Sequence, residues 1–339
     1  MLKYNKFSQK NMLKKSSIIL ILVIIAIIGV IVIINKNKTP AVIGKKTITI
    51  ADPRPISAAL LYVAIEKNIF AKFGVDVKLL PVQTGDEALK AIVGKSADIA
   101  IAAVTPYAFL AINKPEMKIF ATIAESSDSQ IIANKSKGIT SPTDLRGKKI
   151  GYAKTTISEL GLEKILQANG MQRGDVQWIN LKPLVMPTAL MSGEIDAYSA
   201  WEPHLANGAK VLGGKAIILT VPKNTYTWQT NLVADESYIN SNKDTLENFI
   251  KALIETEKFV LENKEESINI AANHVNIPAD ILKSIWSKFE LKINLRDDLN
   301  DIIKENLIWA NDRREIKSNE LPDSTTLVNR SILGYAKKY

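Results

Sequence analysis

One succession of elements is written twice in this chain, and it narrows the fold more than any other feature. Residues 47–50 read as a strand, 52–55 as a loop, 56–68 as a helix with apolar positions 60, 61, 64 and 65, and 75–80 as a second strand. A helix from about Glu87 to Val93 and a buried strand at 98–102 complete the set. The order returns with a strand at 149–152 and a helix that Thr156 and Glu159 open as a capping box and Asn169-Gly170 closes. A strand at 176–181, a helix at 186–191 and a strand at 196–200 follow. Even the spacing repeats: Asp98 follows Ala91 by seven positions, and Asp196 follows Ala189 by seven. Strands joined through helices run parallel, because the helix carries the chain back along the sheet before the next strand begins. The expectation is an α/β protein of two similarly built lobes, each a mostly parallel sheet flanked by helices on both faces.

The rest of the chain frames these lobes. Beyond Leu246 the pattern is helical, with candidates at 244–262, 265–273, 278–288 (Pro278 at the start) and 297–314, then a packed tail at 318–339. At the other end, residues 18–34 are seventeen consecutive apolar residues, Gly29 included, preceded by five lysines and no acid. That run approaches the length needed to span a bilayer, and the lysines place its start in the cytoplasm. We therefore expect a basic cytoplasmic segment at 1–17, an uncleaved transmembrane signal anchor at 18–34, a tether at 35–46, and an extracytoplasmic body on a single-pass membrane protein. A cleaved signal peptide is the second reading.

Composition excludes several chemistries. The chain has no cysteine, so it has no disulfide, thiolate metal site or cysteine nucleophile. Its two histidines, His204 and His274, cannot build a histidine-rich metal centre, and no metal or cofactor is expected. The net charge of +9 is a local effect: seven of the 44 basic residues fall in residues 1–40, which hold no acid, leaving 37 against 35 acidic ones. A nearly neutral body gives nucleic-acid binding no support. Nucleotide-binding glycine motifs are also absent.

Ligands of open parallel sheets sit beyond the carboxyl ends of the strands. That rule selects the loops at 52–57, 84–87, 104–107, 154–158 and 201–204. Helix starts at Ser57, Asp86 and Thr156 direct backbone N–H groups there, which suits a sulfonate, nitrate or carboxylate. Thr155 and Thr156 are anion ligands or pure helix caps. Arg54 reaches an anion or stays in solvent. Glu202 ends the last strand of the second set, and Trp201 beside it offers an aromatic wall. Asp98 and Asp196 read as structural acceptors of backbone N–H groups.

Four motifs carry a resemblance. Tyr62…Ala64…Lys67-Asn-Ile-Phe70…Phe73-Gly-Val-Asp-Val77 resembles the first helix and second strand of the nitrate/sulfonate/taurine-type solute-binding proteins of ABC importers. Val93-Gly-Lys-Ser-Ala-Asp-Ile-Ala100, Asp144-Leu-Arg-Gly-Lys-Lys-Ile150 and Gly193-Glu-Ile-Asp-Ala197…Trp201-Glu-Pro203 are similar to later signatures of that family, in the same order. The likeness covers about residues 47–235. It departs in lacking a lipoprotein cysteine, which the hydrophobic anchor would replace, and in having Asn68 where glycine is common.

The resemblance implies the type II periplasmic binding protein fold, with lobe one at 47–133 plus 232–339 and lobe two at 134–231. A strand near 229–234 would be the return crossing. It further implies a monomer that closes by hinge motion on a small solute and delivers it to an ABC permease and its ATPase. By resemblance, Thr105 lies on a ligand-facing loop, unless it is a plain turn hydroxyl, and Glu202 pairs with a ligand ammonium, as in amine-binding members, or forms a salt bridge or is an exposed loop acid. Trp228, near the return crossing, faces the cleft or packs in the core. The site expected is thus Arg54, Ser57, Asp86, Thr105, Thr155, Thr156, Trp201, Glu202 and Trp228. A ligand-sensing module for a separate membrane partner is the alternative function, and an enzyme of the same fold a remoter one.

Overall fold

The computed structural model describes residues 46–126, 130–219, 227–314 and 317–337. Eleven strands are described. In chain order they are β1 (Lys46–Asp52), β2 (Val75–Pro81), β3 (Ile99–Ala103), β4 (Met117–Ser126), β5 (Gln130–Asn134), β6 (Lys149–Tyr152), β7 (Gln177–Asn180), β8 (Ala197–Ala200), β9 (Ala216–Leu219), β10 (Trp228–Asp235) and β11 (Phe289–Asn294). They form two sheets, ordered β11-β4-β10-β3-β1-β2 and β7-β6-β8-β5-β9. All belong to one compact unit, Lys46–Tyr339.

The internal echo is a property of the fold. In each sheet the first strand of the repeat is central to a parallel trio, β2-β1-β3 in one and β7-β6-β8 in the other. Asp98 accepts the backbone N–H of Thr49 at 2.7 Å, and Asp196 accepts that of Lys149 at 2.9 Å. The two acids thus tie the third strand to the first at the same place in both lobes.

The remaining strands correct the expectation of mostly parallel sheets. β10 joins the first sheet antiparallel to β3, and β5 joins the second antiparallel to β8. Each arrives from the other lobe. Trp228 lies opposite Ser126, and Gln130 opposite Ala200, so both enter at the carboxyl ends of the parallel strands. A strand that enters there must run backwards against its neighbours. The sheet change also falls earlier than expected, between Ser126 and Gln130, because residues 130–133 pair in the second sheet.

Local chemistry sets the breaks. The first helix expected to run to Asn68 begins as a 3-10 turn at Ile56–Ala58, continues as Ala59–Glu66, and ends where Asn68 turns left-handed at φ 53°. Asparagine tolerates that conformation because its short polar side chain can hydrogen-bond locally. Helices cover both faces of both sheets. Phe120 and Phe249 are buried on one face of the first sheet, and Tyr107 and Leu307 on the other. Leu162 and Leu166 cover one face of the second sheet, Tyr198 and Leu190 its opposite. Each such side chain contributes roughly 1.5–3 kcal/mol by leaving water. The expected segments at 1–17, 18–34 and most of 35–46 lie outside the described residues. Among the described residues, no helix is long and apolar enough to cross a membrane.

Candidate functional site

The carboxyl ends of the two parallel trios meet across a cleft that encloses about 590 Å³, its open mouth included. Four helical segments begin at its wall. Ile56 and Ser57 open the first, Gly85 the second (Gly85–Val93), Ala103 precedes the third (Val104–Ala111), and Thr156 caps the fourth (Ile157–Ala168). Gly85 fits closely there: a Cβ on it would lie 3.3 Å from both Ala102 Cα and Pro106 Cγ, so a side chain would press on β3 and on the next helix. The largest faces of the rest of the wall are apolar, Pro53, Pro55, Trp201, Trp228 and Phe289, with Glu202 and Thr230 polar among them. Among the described residues, the lining contains no lysine or arginine.

Five of the nine residues expected from sequence line this cleft: Ser57, Thr156, Trp201, Glu202 and Trp228. Thr230 Oγ1 donates to Ser57 Oγ at 2.7 Å, so the Ser57 hydroxyl, as acceptor, keeps a proton to give to a ligand. The Thr156 hydroxyl is committed otherwise. It donates to the Ala153 carbonyl at 2.8 Å and accepts the Ser158 N–H at 3.1 Å, the work of a helix cap. The expected capping box is displaced by one residue, since Glu159 takes the N–H of Thr155 at 2.9 Å rather than that of Thr156. Thr155 itself stands at φ 63° and spends its hydroxyl proton on the Lys154 carbonyl.

Thr155 and Asp86 face a second, more polar recess beside the cleft, which Thr156 also borders. Asp86 is paired there with Lys90 at 2.6 Å, one helical turn on. Two expected ligands lie outside both hollows. Thr105 is fully buried and donates to Asn306 Oδ1 at 2.9 Å, joining two helices of the first lobe. Arg54 is exposed between the two lining prolines. Its backbone is turned to φ 54° and held by the Asp52 carboxylate, which accepts its N–H at 2.8 Å. Asp52 is buried, accepts the Tyr62 hydroxyl at 3.0 Å, and has His274 Nε2 at 3.6 Å, with the His274 ring stacked on Tyr62. This cluster fixes the first loop by its backbone.

Sequence reasoning missed Thr230 and Phe289. Thr230 could have been found, because it shares a strand face with Trp228 two residues away. Phe289 begins β11, a strand hidden within a stretch that reads as helical.

The lobes also touch through polar pairs. Glu202 is 2% exposed; its Oε2 accepts the Ala206 N–H at 3.0 Å and its Oε1 lies 3.4 Å from Lys288 Nζ of the first lobe. On the other flank, Glu163 of the second lobe accepts the Trp309 Nε1–H at 2.6 Å and bonds Arg313, the first on helix Leu299–Asp312 of the first lobe and the second capping its end. Glu202 also acts on Tyr198, whose hydroxyl is held protonated first by burial and then by that charge.

His204 is partly buried edge-on against Trp201, with ring centroids 5.5 Å apart. Burial pushes its imidazole down from 6.5 to about 4. The unfolded chain therefore takes up this proton first as pH falls. Stability is full above about pH 6.5 and is lost progressively towards pH 4. Denaturant midpoints between pH 7 and 4.5 should fall more in the wild type than in His204→Asn, and equal slopes would exclude this origin. Among the described residues, no three of His, Cys, Asp and Glu gather as metal ligands.

Known proteins share this architecture. Over 85% of this chain and 99% of the other, the fold matches the alkanesulfonate-binding protein SsuA of Xanthomonas axonopodis pv. citri bound to MOPS, with a TM-score of 0.73 at 16% identity. It matches the periplasmic nitrate-binding protein NrtA of Synechocystis PCC 6803 with a TM-score of 0.69 at 16% identity, over 87% and 89% of the two chains. In sequence, it is 25% identical to the taurine-binding periplasmic protein of Escherichia coli over 214 residues, 62% of this chain and 65% of that one. The fold is that of the two-lobed periplasmic binding proteins. The family model described as NMT1/THI5 like matches residues 56–267, more than half of the sequence, and the chain belongs to that family.

Proposed function

We propose that this protein is an extracytoplasmic solute-binding protein that captures a small organic anion with an apolar body, of the sulfonate type, and delivers it to an ABC importer. One observation carries the reading. Four helix starts supply partial positive charge to a cleft whose largest faces are aromatic and proline side chains and whose described lining holds no cationic side chain. An inorganic anion would leave those apolar walls unused. A purely apolar ligand would leave the helix ends and the Ser57 hydroxyl unused. The alkanesulfonate- and taurine-binding relatives support the ligand class.

In this reading the protein acts as a monomer, closes its lobes on the solute without chemical turnover, and meets a permease with its ATPase. The apolar run at 18–34 anchors it to the membrane. A thermal-shift panel on the full-length chain tests the ligand class, with 1-propanesulfonate, propionate, nitrate and sulfate as probes. A ligand at about 100 times its dissociation constant adds roughly 2.7 kcal/mol. Stabilisation by 1-propanesulfonate and not by nitrate or sulfate is expected. The opposite ranking would return the site to simple inorganic anions.

A further inference from the structure

Glu202 sits awkwardly in an anion site, because it presents a carboxylate to a ligand that carries its own negative charge. Among the described residues that line the cleft it is the sole acid. A carboxylate 2% exposed cannot remain charged without partners. Its described partners include the N–H of Ala206 in the first turn of helix His204–Leu212 and the ammonium of Lys288 at 3.4 Å. They differ in origin. Ala206 belongs to the lobe of Glu202. Lys288 ends the 3-10 turn Trp286–Lys288 of the other lobe, directly before Phe289, which lines the cleft. The opposite lobe thus carries an ammonium to Glu202 on the same short segment that supplies an apolar wall.

We propose that Lys288 occupies the position a ligand ammonium would take on Glu202, and so makes the cleft select sulfonates that lack an amino group over amino-sulfonates. The proposal rests on the reading of the cleft as a sulfonate site. An amino-sulfonate would have to strip its ammonium of water among apolar walls, or drive Lys288 off its carboxylate. A plain alkanesulfonate does neither. Lys288 is then a specificity-determining residue supplied across the interlobe boundary.

Taurine and 1-propanesulfonate differ by an ammonium in place of a methyl group, so calorimetric titration of the full-length chain with both reads the selectivity. The wild type should favour 1-propanesulfonate by at least about tenfold. Lys288→Met should move the ratio towards taurine by at least about tenfold, Lys288→Arg should preserve it, and Glu202→Gln added to Lys288→Met should abolish the shift. A second readout needs no sulfonate: ethylammonium chloride should raise the melting temperature of Lys288→Met above a sodium chloride control, and not that of the wild type or the double variant. Should Lys288→Met not fold, Lys288→Gln carries the same two readouts.

A wild type that binds taurine as tightly as 1-propanesulfonate overturns the proposal. So does a Lys288→Met variant with an unchanged ratio and no response to ethylammonium, even where both sulfonates bind. If no sulfonate binds any variant while ethylammonium stabilises Lys288→Met alone, the assignment of Lys288 stands and the sulfonate reading of the cleft fails.

Discussion

Gly208→Ala is expected to destabilise the second lobe by about 1–3 kcal/mol, although glycine to alanine within a helix ordinarily gains up to about 1 kcal/mol. The reversal is steric. Gly208 lies buried on helix His204–Leu212, and a Cβ there would stand 2.1 Å from the Tyr198 hydroxyl oxygen and 2.9 Å from its Cζ. Tyr198 has nowhere to go. It is fully buried, its hydroxyl donates to the His204 carbonyl at 2.6 Å, and on its other side its Cβ is 3.1 Å from where a Cβ on Gly151 would be. The Tyr198 ring thus excludes a side chain at Gly208, while at Gly151 its Cβ and the nearer Ile195 Cδ1, at 2.8 Å, crowd the strand. Denaturant unfolding measures the effect. Adding Tyr198→Phe to Gly208→Ala should restore part of the loss, and a Gly208→Ala variant at least as stable as the wild type would show that the lobe has room this account denies it.

Trp228→Ala should weaken binding of 1-propanesulfonate by about 2 kcal/mol, close to 30-fold in dissociation constant. Trp228 is 5% exposed and begins β10 at the return from the second lobe, where it lines the cleft together with Thr230. Its removal takes away one of the largest apolar faces a ligand can meet, while the strand that carries it stays paired on both sides. Trp228→Phe should retain most of the affinity. Titration paired with an unfolding curve separates lost contact from lost fold. A folded Trp228→Ala variant within about threefold of the wild type would move the ligand elsewhere in the cleft.

What could be read in advance follows from how local each signal is. Asp98 and Asp196 precede strands, and their carboxylates reach a neighbouring strand in the way their position suggests. Helix starts at Ser57 and Thr156, and the acid and aromatic at the end of β8, were legible because each rests on a few adjacent residues. β4 was not. All ten of its residues are buried, so it shows no alternation that would separate a strand from a helix. Arg54 escaped because nothing between two prolines announces a left-handed turn in a residue other than glycine. Thr105 and Glu202 depend on partners far along the chain. Asn306 is 201 positions from Thr105 and Lys288 is 86 from Glu202, and only the fold brings them together.

The most direct test of the account is calorimetric titration of 1-propanesulfonate against nitrate into the full-length chain at two temperatures. One site per chain, tighter binding of the sulfonate and a negative heat-capacity change from burial of its propyl group against the tryptophan walls are predicted. Nitrate binding tightly while 1-propanesulfonate gives no heat would contradict it.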